Sequence, residues 1–513
     1  MRRRVMVASA TAMLLAGCSL QPKYVRPAPP VPASWPVGDP YLAQSEATLP
    51  IVSYRDIFRD LRLQRIVEQA LANNRNLRIA AANIRQARAQ FRVARAELFP
   101  EIDATGRYSY AKGTVRSGNG AGLNASNTGT TNNGGNGATG ISSNGSYFSG
   151  NVGISAFELD LFGRVRSLSD AALDRYFATE AAARATRLTL VGDIVDDWLQ
   201  YGEDQSLLQV ARDTAEASQR SVELTRLRVN GGVAPLSDLR QAETVLATAQ
   251  SDLALQRTLV AQDANGLQLL VGAPVDPTLL PKSLADAIER ITEVPPGVSS
   301  DVLLRRPDVV QAEYQLRAAN AQIGAARAQL FPTISLTGLS GLASSALSSL
   351  FTGGAFTFSA GASVAYPIFR AGAGRANVDY SRGVRDAALA TYEQSIQTAF
   401  REVSDALARR GTIGEQLAAD QRNVAAAADT LRLANLSYQG GVQTFLNVLV
   451  AQRTLYTAQR TLVQTQLTRG TNLVTLYRVL GGDSLVEGTR TGPVPVTING
   501  SPRPEPVPGR PAP

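Results

Sequence analysis

AQFRVARAELFPEIDATG at residues 89–106 aligns without a gap on AQIGAARAQLFPTISLTG at residues 321–338, with 11 of 18 positions identical. A second match lies downstream, where LRVNGGVAPLSDLRQAETVLATAQSDL at 227–253 overlays LSYQGGVQTFLNVLVAQRTLYTAQRTL at 436–462, with 10 of 27 identical. The first pair is 232 residues apart and the second 209, so the earlier copy carries the longer insertion between its two matched stretches. Two collinear matches at so long a period describe two copies of one large supersecondary unit, not a solenoid.

Each copy has the same internal order. A helical stretch, about 60–98 or 300–330, ends at Phe99-Pro100 or Phe331-Pro332, where proline biases its predecessor out of the helix. The period then changes to two. Ile102, Ala104, Gly106, Tyr108 and Tyr110 alternate with Asp103, Thr105, Arg107 and Ser109, and Phe148, Gly150, Val152, Ile154 and Ala156 alternate with Ser149, Asn151, Gly153 and Ser155. In the later copy Phe356, Phe358, Ala360, Ala362, Val364 and Tyr366 alternate with Thr357, Ser359, Gly361, Ser363 and Ala365. A soluble sheet packed on one side reads this way too. Segments of about ten alternating residues rimmed by aromatics also match tilted transmembrane strands, apolar toward lipid and polar toward a lumen. The connection at 113–146 is low-complexity Gly, Ser, Asn and Thr and reads as an exposed loop.

A helical pattern then runs from about Gly163 to Asn230, and again from about Gly374 to Gln439. At ~1.5 Å per residue the first is on the order of 100 Å long, far beyond what a globular domain needs. The chain reverses at Gly231-Gly232 or Gly440-Gly441, where glycine supplies left-handed or open backbone, and returns as a shorter helix. On the returning helices Leu239, Ala242, Leu246, Ala249 and Leu253 keep heptad spacing, as do Val448, Ala451, Leu455, Ala458 and Leu462. That stripe reads as core.

Composition narrows the function. The 513 residues include 51 basic side chains, of which only Lys23, Lys112 and Lys282 are lysines, one cysteine and no histidine. Without histidine there is no Ser-His-Asp or Cys-His catalysis and no HExxH zinc site, and the lysines complete no phosphate-binding loop. The net charge of +8 comes from arginines scattered among Asp and Glu, which reads as a solvated face and not as a nucleic-acid surface.

At the N-terminus Arg2, Arg3 and Arg4 precede an apolar stretch from Val5 to Ala16, long enough for a signal peptide and too short to span a bilayer. It ends in Leu15-Ala16-Gly17-Cys18, which resembles a bacterial lipobox, followed by Ser19. The expected order is a signal peptide at 1–17, an extended Pro-rich tether at 18–59 starting at a lipid-bearing Cys18, copies at 60–272 and 300–482 joined by a linker at 273–299, and a disordered tail at 483–513. The covalent lipid aside, no cofactor or metal is expected.

Four membrane strands per chain cannot close, because an open edge in lipid leaves backbone groups without partners. Chains must combine. Three give about twelve strands and a wider lumen than the eight of a dimer. The fold class expected is therefore mainly α with a membrane β-barrel: a trimer, four strands per chain, with a shared 12-stranded barrel continuous with a long α-helical tunnel.

The stretches LAGCSL, ARAELFP, ELDLFGRVR, LSDLRQAE, TAFREVSDALARR, GGVQTFLNVLVAQRTLY and LYRVLGG resemble the TolC family of outer-membrane factors, most closely its lipoprotein branch represented by OprM and NodT. The resemblance implies a homotrimer anchored in outer-membrane lipid, with most of the chain in the periplasm, docked to a periplasmic membrane-fusion adaptor and a proton-driven inner-membrane pump of the RND type. Such channels export drugs or other small molecules, and their periplasmic ends open when bent inner helices straighten. Transferred position by position, the resemblance places Leu446, Asn447, Val450 and Arg453 at or near the constriction, with Asp238 and Arg240 on the corresponding helix of the first copy. The family often has an aspartate where this chain has Val450, so the resemblance implies a gate less cation-selective than usual. Val450 packed between helices is the competing reading, as is a role for Asp238 and Arg453 as solvated charges. Two other function classes compete: a stand-alone porin, and a lipid-anchored periplasmic enzyme using carboxylates such as Asp196 and Asp197. Adjacent helix positions point about 100° apart, which suits solvent or capping better than a shared site.

Overall fold

The computed structural model describes residues 19–41, 53–115, 141–292, 300–489 and 492–493. Cys18, the segment 1–17 and the tail beyond 493 lie outside the described residues. A short α1 (Tyr54–Ile57) precedes the first copy, which contains α2 (Leu61–Asn73), α3 (Arg75–Ala96), β1 (Asp103–Val115), β2 (Ile141–Glu158), α4 (Arg164–Asn230) and α5 (Leu236–Val271). A short α6 (Leu284–Ile288) follows, then α7 (Pro307–Ala328), β3 (Thr333–Ser344), β4 (Phe356–Ala365), α8 (Ala373–Gln439) and α9 (Phe445–Val479). Gly488–Thr489 (β5) and Gly492–Pro493 (β6) close the described chain as a small antiparallel pair.

The duplication is visible element by element. α3 and α7 both span 22 residues, and α4 and α8 both span 67, or about 100 Å each. The return helices have 36 and 35. Among the described residues no helix is long and apolar enough to cross a membrane.

The four longer strands form one antiparallel sheet in the order β1-β2-β3-β4. Cross-strand partners such as Tyr108↔Phe148, Gly150↔Leu342 and Leu342↔Phe356 put the even-numbered apolar residues on one face. Thr105, Asn151, Thr337 and Gly361 share the other face. Two details differ from the sequence reading. The ladder extends to Val115↔Ile141, so both ends of the Gly/Ser/Asn run pair as sheet. A bulge between Ile154 and Phe157 shifts the phase by one residue, so Phe157, not Ala156, takes the apolar face opposite Leu336.

The expected helix at 60–98 is two helices. Asn74 stops α2 and caps α3, accepting from the Leu77 N–H at 3.0 Å, while its amide donates at 2.6 Å to the carbonyl of Leu270 at the end of α5. That carbonyl has no helical donor because Pro274 stands four residues on. One side chain thus joins two helices end to end. The second copy does the same with different chemistry. Arg306, 232 positions after Asn74, caps Val479, 209 positions after Leu270, at 2.9 Å, and its other nitrogens reach Asp308 and Glu402. Each junction thus abuts a return helix on an ascending one, and both stacks pack against the long helices.

The packing is unequal. α7 is sandwiched between α4 and α8 and buries sixteen of its 22 residues, whereas α3 packs against α4 and buries only Phe91. The main core gathers Trp198, Ile194 and Val195 of α4, Tyr392 and Val403 of α8, Tyr477 of α9, and Leu63 and Ile66 of α2.

The linker and tether are less independent than the sequence suggests. Leu284 and Ala287 of α6 are buried in the core, and Phe58 bridges to Ile291. Residues 19–41 have no helix or strand but are strapped to the body: Arg26 pairs with the fully buried Glu313 at 2.7 Å, and Trp35 stacks on Phe400 at 4.9 Å. Residues 483–489 are docked as well, Asp483 pairing with Arg187 at 2.9 Å and Val486 being buried.

Candidate functional site at the helix turns

Both turns at the far end of the long helices use one device. The N–H of Gly232 donates to the Val229 carbonyl and that of Val233 to Arg228, and in the second copy Gly441 donates to Tyr438 and Val442 to Ser437. This double closure requires a left-handed residue after the helix. Gly232 (φ +77°) and Gly441 (φ +73°) provide it. Gly231 and Gly440, which the sequence reading grouped with them, remain right-handed at φ −77° and −74°. Only the second glycine of each pair is conformationally required.

Behind the turns, Val222, Leu239, Ala242, Ala434, Tyr438, Phe445, Val448 and Ala451 form a small core drawn from all four helices. The heptad positions are buried or half-buried throughout. Leu446, Asn447, Val450 and Arg453 lie at i, i+1, i+4 and i+7 on α9 and share one exposed face. Leu446 and Val450 are 57% and 56% exposed, so Val450 does not pack between helices of its own chain. On α5, Asp238 occupies the first turn, where a carboxylate complements the helix N-terminus. Arg240 turns to Glu243 at 2.7 Å, and Glu243, also 3.5 Å from Arg226, is held below the usual carboxylate range. Asp238 and Arg240 are therefore accounted for on their own helix pair.

Sequence reasoning missed the side chains that tie one helix pair to the other. The Arg228 guanidinium lies 4.5 Å from the centre of the Tyr438 ring, coupling α4 to α8. Gln452 of α9 donates to the Ser218 hydroxyl of α4 at 2.9 Å, and Tyr456 of α9 donates to Asp252 of α5 at 3.1 Å. Burial, with Asp252 adding to it, raises the Tyr456 phenol above its ordinary value and keeps it a donor. These residues carry no motif; only Tyr438, three residues before its left-handed glycine, sits beside a recognisable signal.

Asp196 and Asp197 do not form a shared pair. Asp196 faces α9, where Arg478 bridges it at 2.9 Å and Asp193 at 2.8 Å, and burial pushes its carboxyl up to about 6. Asp197 turns toward Gly266 of α5. Both face neighbouring helices, contrary to the solvent or capping role expected.

The sequence pattern of the outer membrane efflux protein family matches residues 66–273 and 298–482. The toluene efflux pump outer membrane protein TtgC of Pseudomonas putida is 41% identical over 484 residues, covering 94% of this chain and 96% of that protein. The cation efflux system protein CusC of Escherichia coli is 36% identical over 471 residues, covering 92% and 97%. Among solved structures, a CusC crystal structure superposes with a TM-score of 0.76 at 35% identity, covering 91% of this chain and all of that one. The open state of the Neisseria gonorrhoeae MtrE outer membrane channel superposes with a TM-score of 0.76 at 31% identity, covering 91% and 99%.

Proposed function

This chain belongs to the outer membrane efflux protein family, and from that premise we propose that three copies form a passive conduit whose helix-turn end is its gate. The observation that carries the proposal is the open-edged four-stranded sheet. It has one apolar and one polar face, among the described residues both outer strands lack a second partner, and it runs directly into helices of about 100 Å. The protein is the outer-membrane channel of a tripartite efflux system. Its partners in this reading are a periplasmic adaptor and a proton-driven inner-membrane pump of the RND type. Its cargo is drug-like or solvent-like small molecules, the class named for relatives such as the toluene efflux protein. Cys18 carries the acyl anchor.

Opening separates the α8–α9 pair from the α4–α5 pair as the tips straighten. The Arg228–Tyr438, Gln452–Ser218 and Tyr456–Asp252 contacts all cross that seam, so in this reading opening breaks all three. Replacing both partners of the second contact, Ser218→Cys with Gln452→Cys, tests this. In cells lacking the native gene and expressing the pump system, the oxidised double variant should restore neither drug nor solvent tolerance, and reductant should restore both. Full export through the oxidised protein would overturn the gating mechanism, and a mass of one chain in detergent would overturn the conduit.

A further inference from the structure

α3 carries six arginines and no acidic residue in its 22 positions. Arg85, Arg88, Arg92 and Arg95 lie at i, i+3, i+7 and i+10 and so share one face. Among the described residues only Arg88 of the four has a hydrogen-bond partner, the Tyr176 hydroxyl at 2.9 Å, while Arg85, Arg92 and Arg95 are exposed and unpaired. We infer that this face binds the phosphate headgroups of anionic phospholipid in the membrane leaflet that holds the Cys18 anchor. The inference rests on the trimeric, acyl-anchored reading above and adds a lipid site to it.

The internal duplication fixes which way the face looks. Ile84, Ala87 and Phe91 pack α3 on α4, and their counterparts 232 positions on, Leu316, Ala319 and Ile323, are buried on α7. Both helices therefore sit in the wall the same way round. The arginine face corresponds to Arg317, Asn320, Gly324 and Arg327, and on α7 the strap of residues 19–41 covers it. The Arg317 guanidinium lies 4.7 Å from the centre of the Tyr24 ring, Asn320 donates to the Pro22 carbonyl at 2.7 Å, and Arg327 donates to that of Leu20 at 3.2 Å. The strap leads to the acylated residue, and lipid surrounds a barrel, so this is the outer side of the wall. α3 turns the same side outward with no strap upon it.

The same comparison fixes the height. Cys18 is two residues from Leu20, hence within about 7 Å of it and level with Arg327. Arg95 is the counterpart of Arg327, and Phe99, 64% exposed, follows one helical turn closer to the sheet. Arg92, Arg88 and Arg85 lie about 4.5, 10.5 and 15 Å further from the sheet along the helix axis. The upper three fall within one headgroup layer and the reach of a long side chain, and guanidinium forks match phosphate oxygens.

The chain does not supply the counter-charge. Its residues outside the described ones carry three acids, Glu46, Glu293 and Glu505. Near the start of α8, Asp379 and Asp386 already pair with Arg382 and Arg385. Glu180, beside Arg88, accepts from Tyr176, and Glu97, two residues past Arg95, points to the opposite side of the helix.

Native mass spectrometry of the full-length protein, titrated with phosphatidylglycerol and with phosphatidylcholine of the same acyl chains, tests this. The trimer should take up phosphatidylglycerol in preference. Replacing Arg85, Arg92 and Arg95 together with Gln should weaken that binding about 100-fold, at about fivefold per arginine near an anionic surface. Replacing the same three with Lys keeps the charge and should recover most of the affinity. Removing three exposed arginines elsewhere, by Arg220→Gln, Arg257→Gln and Arg432→Gln, should leave binding at the wild-type level. Should the first triple variant not assemble, Arg95→Gln alone should weaken binding about fivefold. Equal uptake of both lipids, undiminished binding by the first triple variant, an equal loss in the control triple, equal occupancy by inorganic phosphate, or preference for a poly-glutamate peptide would overturn the lipid site and leave the conduit standing. An intact mass without an acyl group on Cys18 would overturn the anchor, and a mass of one chain would overturn the conduit and the lipid site together.

Discussion

Replacing Asn74 with alanine removes two functions at once, and the structure sets the size of the loss. The Leu77 N–H loses its capping acceptor, worth about 1 kcal/mol at a helix N-terminus. The Leu270 carbonyl loses the amide at 2.6 Å, and with Pro274 four residues on it has no helical donor to fall back on. A buried polar group left unpaired costs about 1–3 kcal/mol, so Asn74→Ala should destabilise the α3–α5 junction by about 2–4 kcal/mol. Asn74→Asp separates the two contributions, because it keeps the acceptor for Leu77 but sets a carboxylate against the carbonyl. Amide hydrogen exchange of the detergent-solubilised protein, read on peptides covering 74–80 and 264–272, is the assay. Each 1–2 kcal/mol of local destabilisation corresponds to about a 5- to 30-fold faster opening. The alanine variant should accelerate exchange in both peptides, and the aspartate variant should do so mainly in 264–272. Unchanged protection in 264–272 for both variants would refute the view that one side chain holds the two helix ends together.

Three further outcomes are expected. Asp263 on α5 is flanked by Asp204 on α4, and burial, then Asp204 itself, pushes it up to about 7 from an ordinary 3.8. A carboxyl raised on folding contributes stability below about pH 4 that is lost as pH rises through 7; Asp263→Asn, which donates without needing a proton, should therefore raise the melting temperature at pH 8 and not at pH 4. Gly232→Ala and Gly441→Ala force a Cβ into left-handed backbone and should each cost about 1–2 kcal/mol, whereas Gly231→Ala should be neutral or slightly stabilising by thermal melting. Val450→Asp adds one carboxylate per chain on the exposed α9 face and should raise cation preference in planar-bilayer recordings; unchanged selectivity would remove Val450 from the constriction.

What the sequence made legible was whatever repeats. The alternation of Phe356 to Tyr366, the matched long helices and the glycine turns each rest on a local rule that acts on many consecutive residues, and each appears in the structure with only small shifts of boundary. What stayed hidden depends on single side chains meeting across long separations. Asn74 and Leu270 are 196 residues apart, Ser218 and Gln452 are 234 apart, and no periodicity connects them. The bulge at Ile154/Phe157 was hidden for a related reason: both Ala156 and Phe157 are apolar, so only the ladder to β3 reveals which one faces outward. Residues 19–41 read as a free tether because proline-rich composition reports local conformation and says nothing of Glu313 waiting in α7.

The duplication also supplies an internal control for the gate. Leu446, Asn447, Val450 and Arg453 of α9 correspond, at the offset of 209, to Ser237, Asp238, Gln241 and Thr244 of α5. The backbone is the same in both copies, down to the left-handed glycine, so the helices alone do not distinguish the two faces. The side chains do. On α5 the face is polar at every one of these positions, as expected for a helix tip in water. On α9 two of the four are large aliphatics, more than half exposed and one helical turn apart. Two copies under the same folding constraints would keep the same polarity if both faces met bulk solvent. The loss of polarity on α9 alone supports the proposed gate at its tip, and Val450→Asp tests that proposal directly: Gln241→Asp, its counterpart on α5, should leave selectivity unchanged.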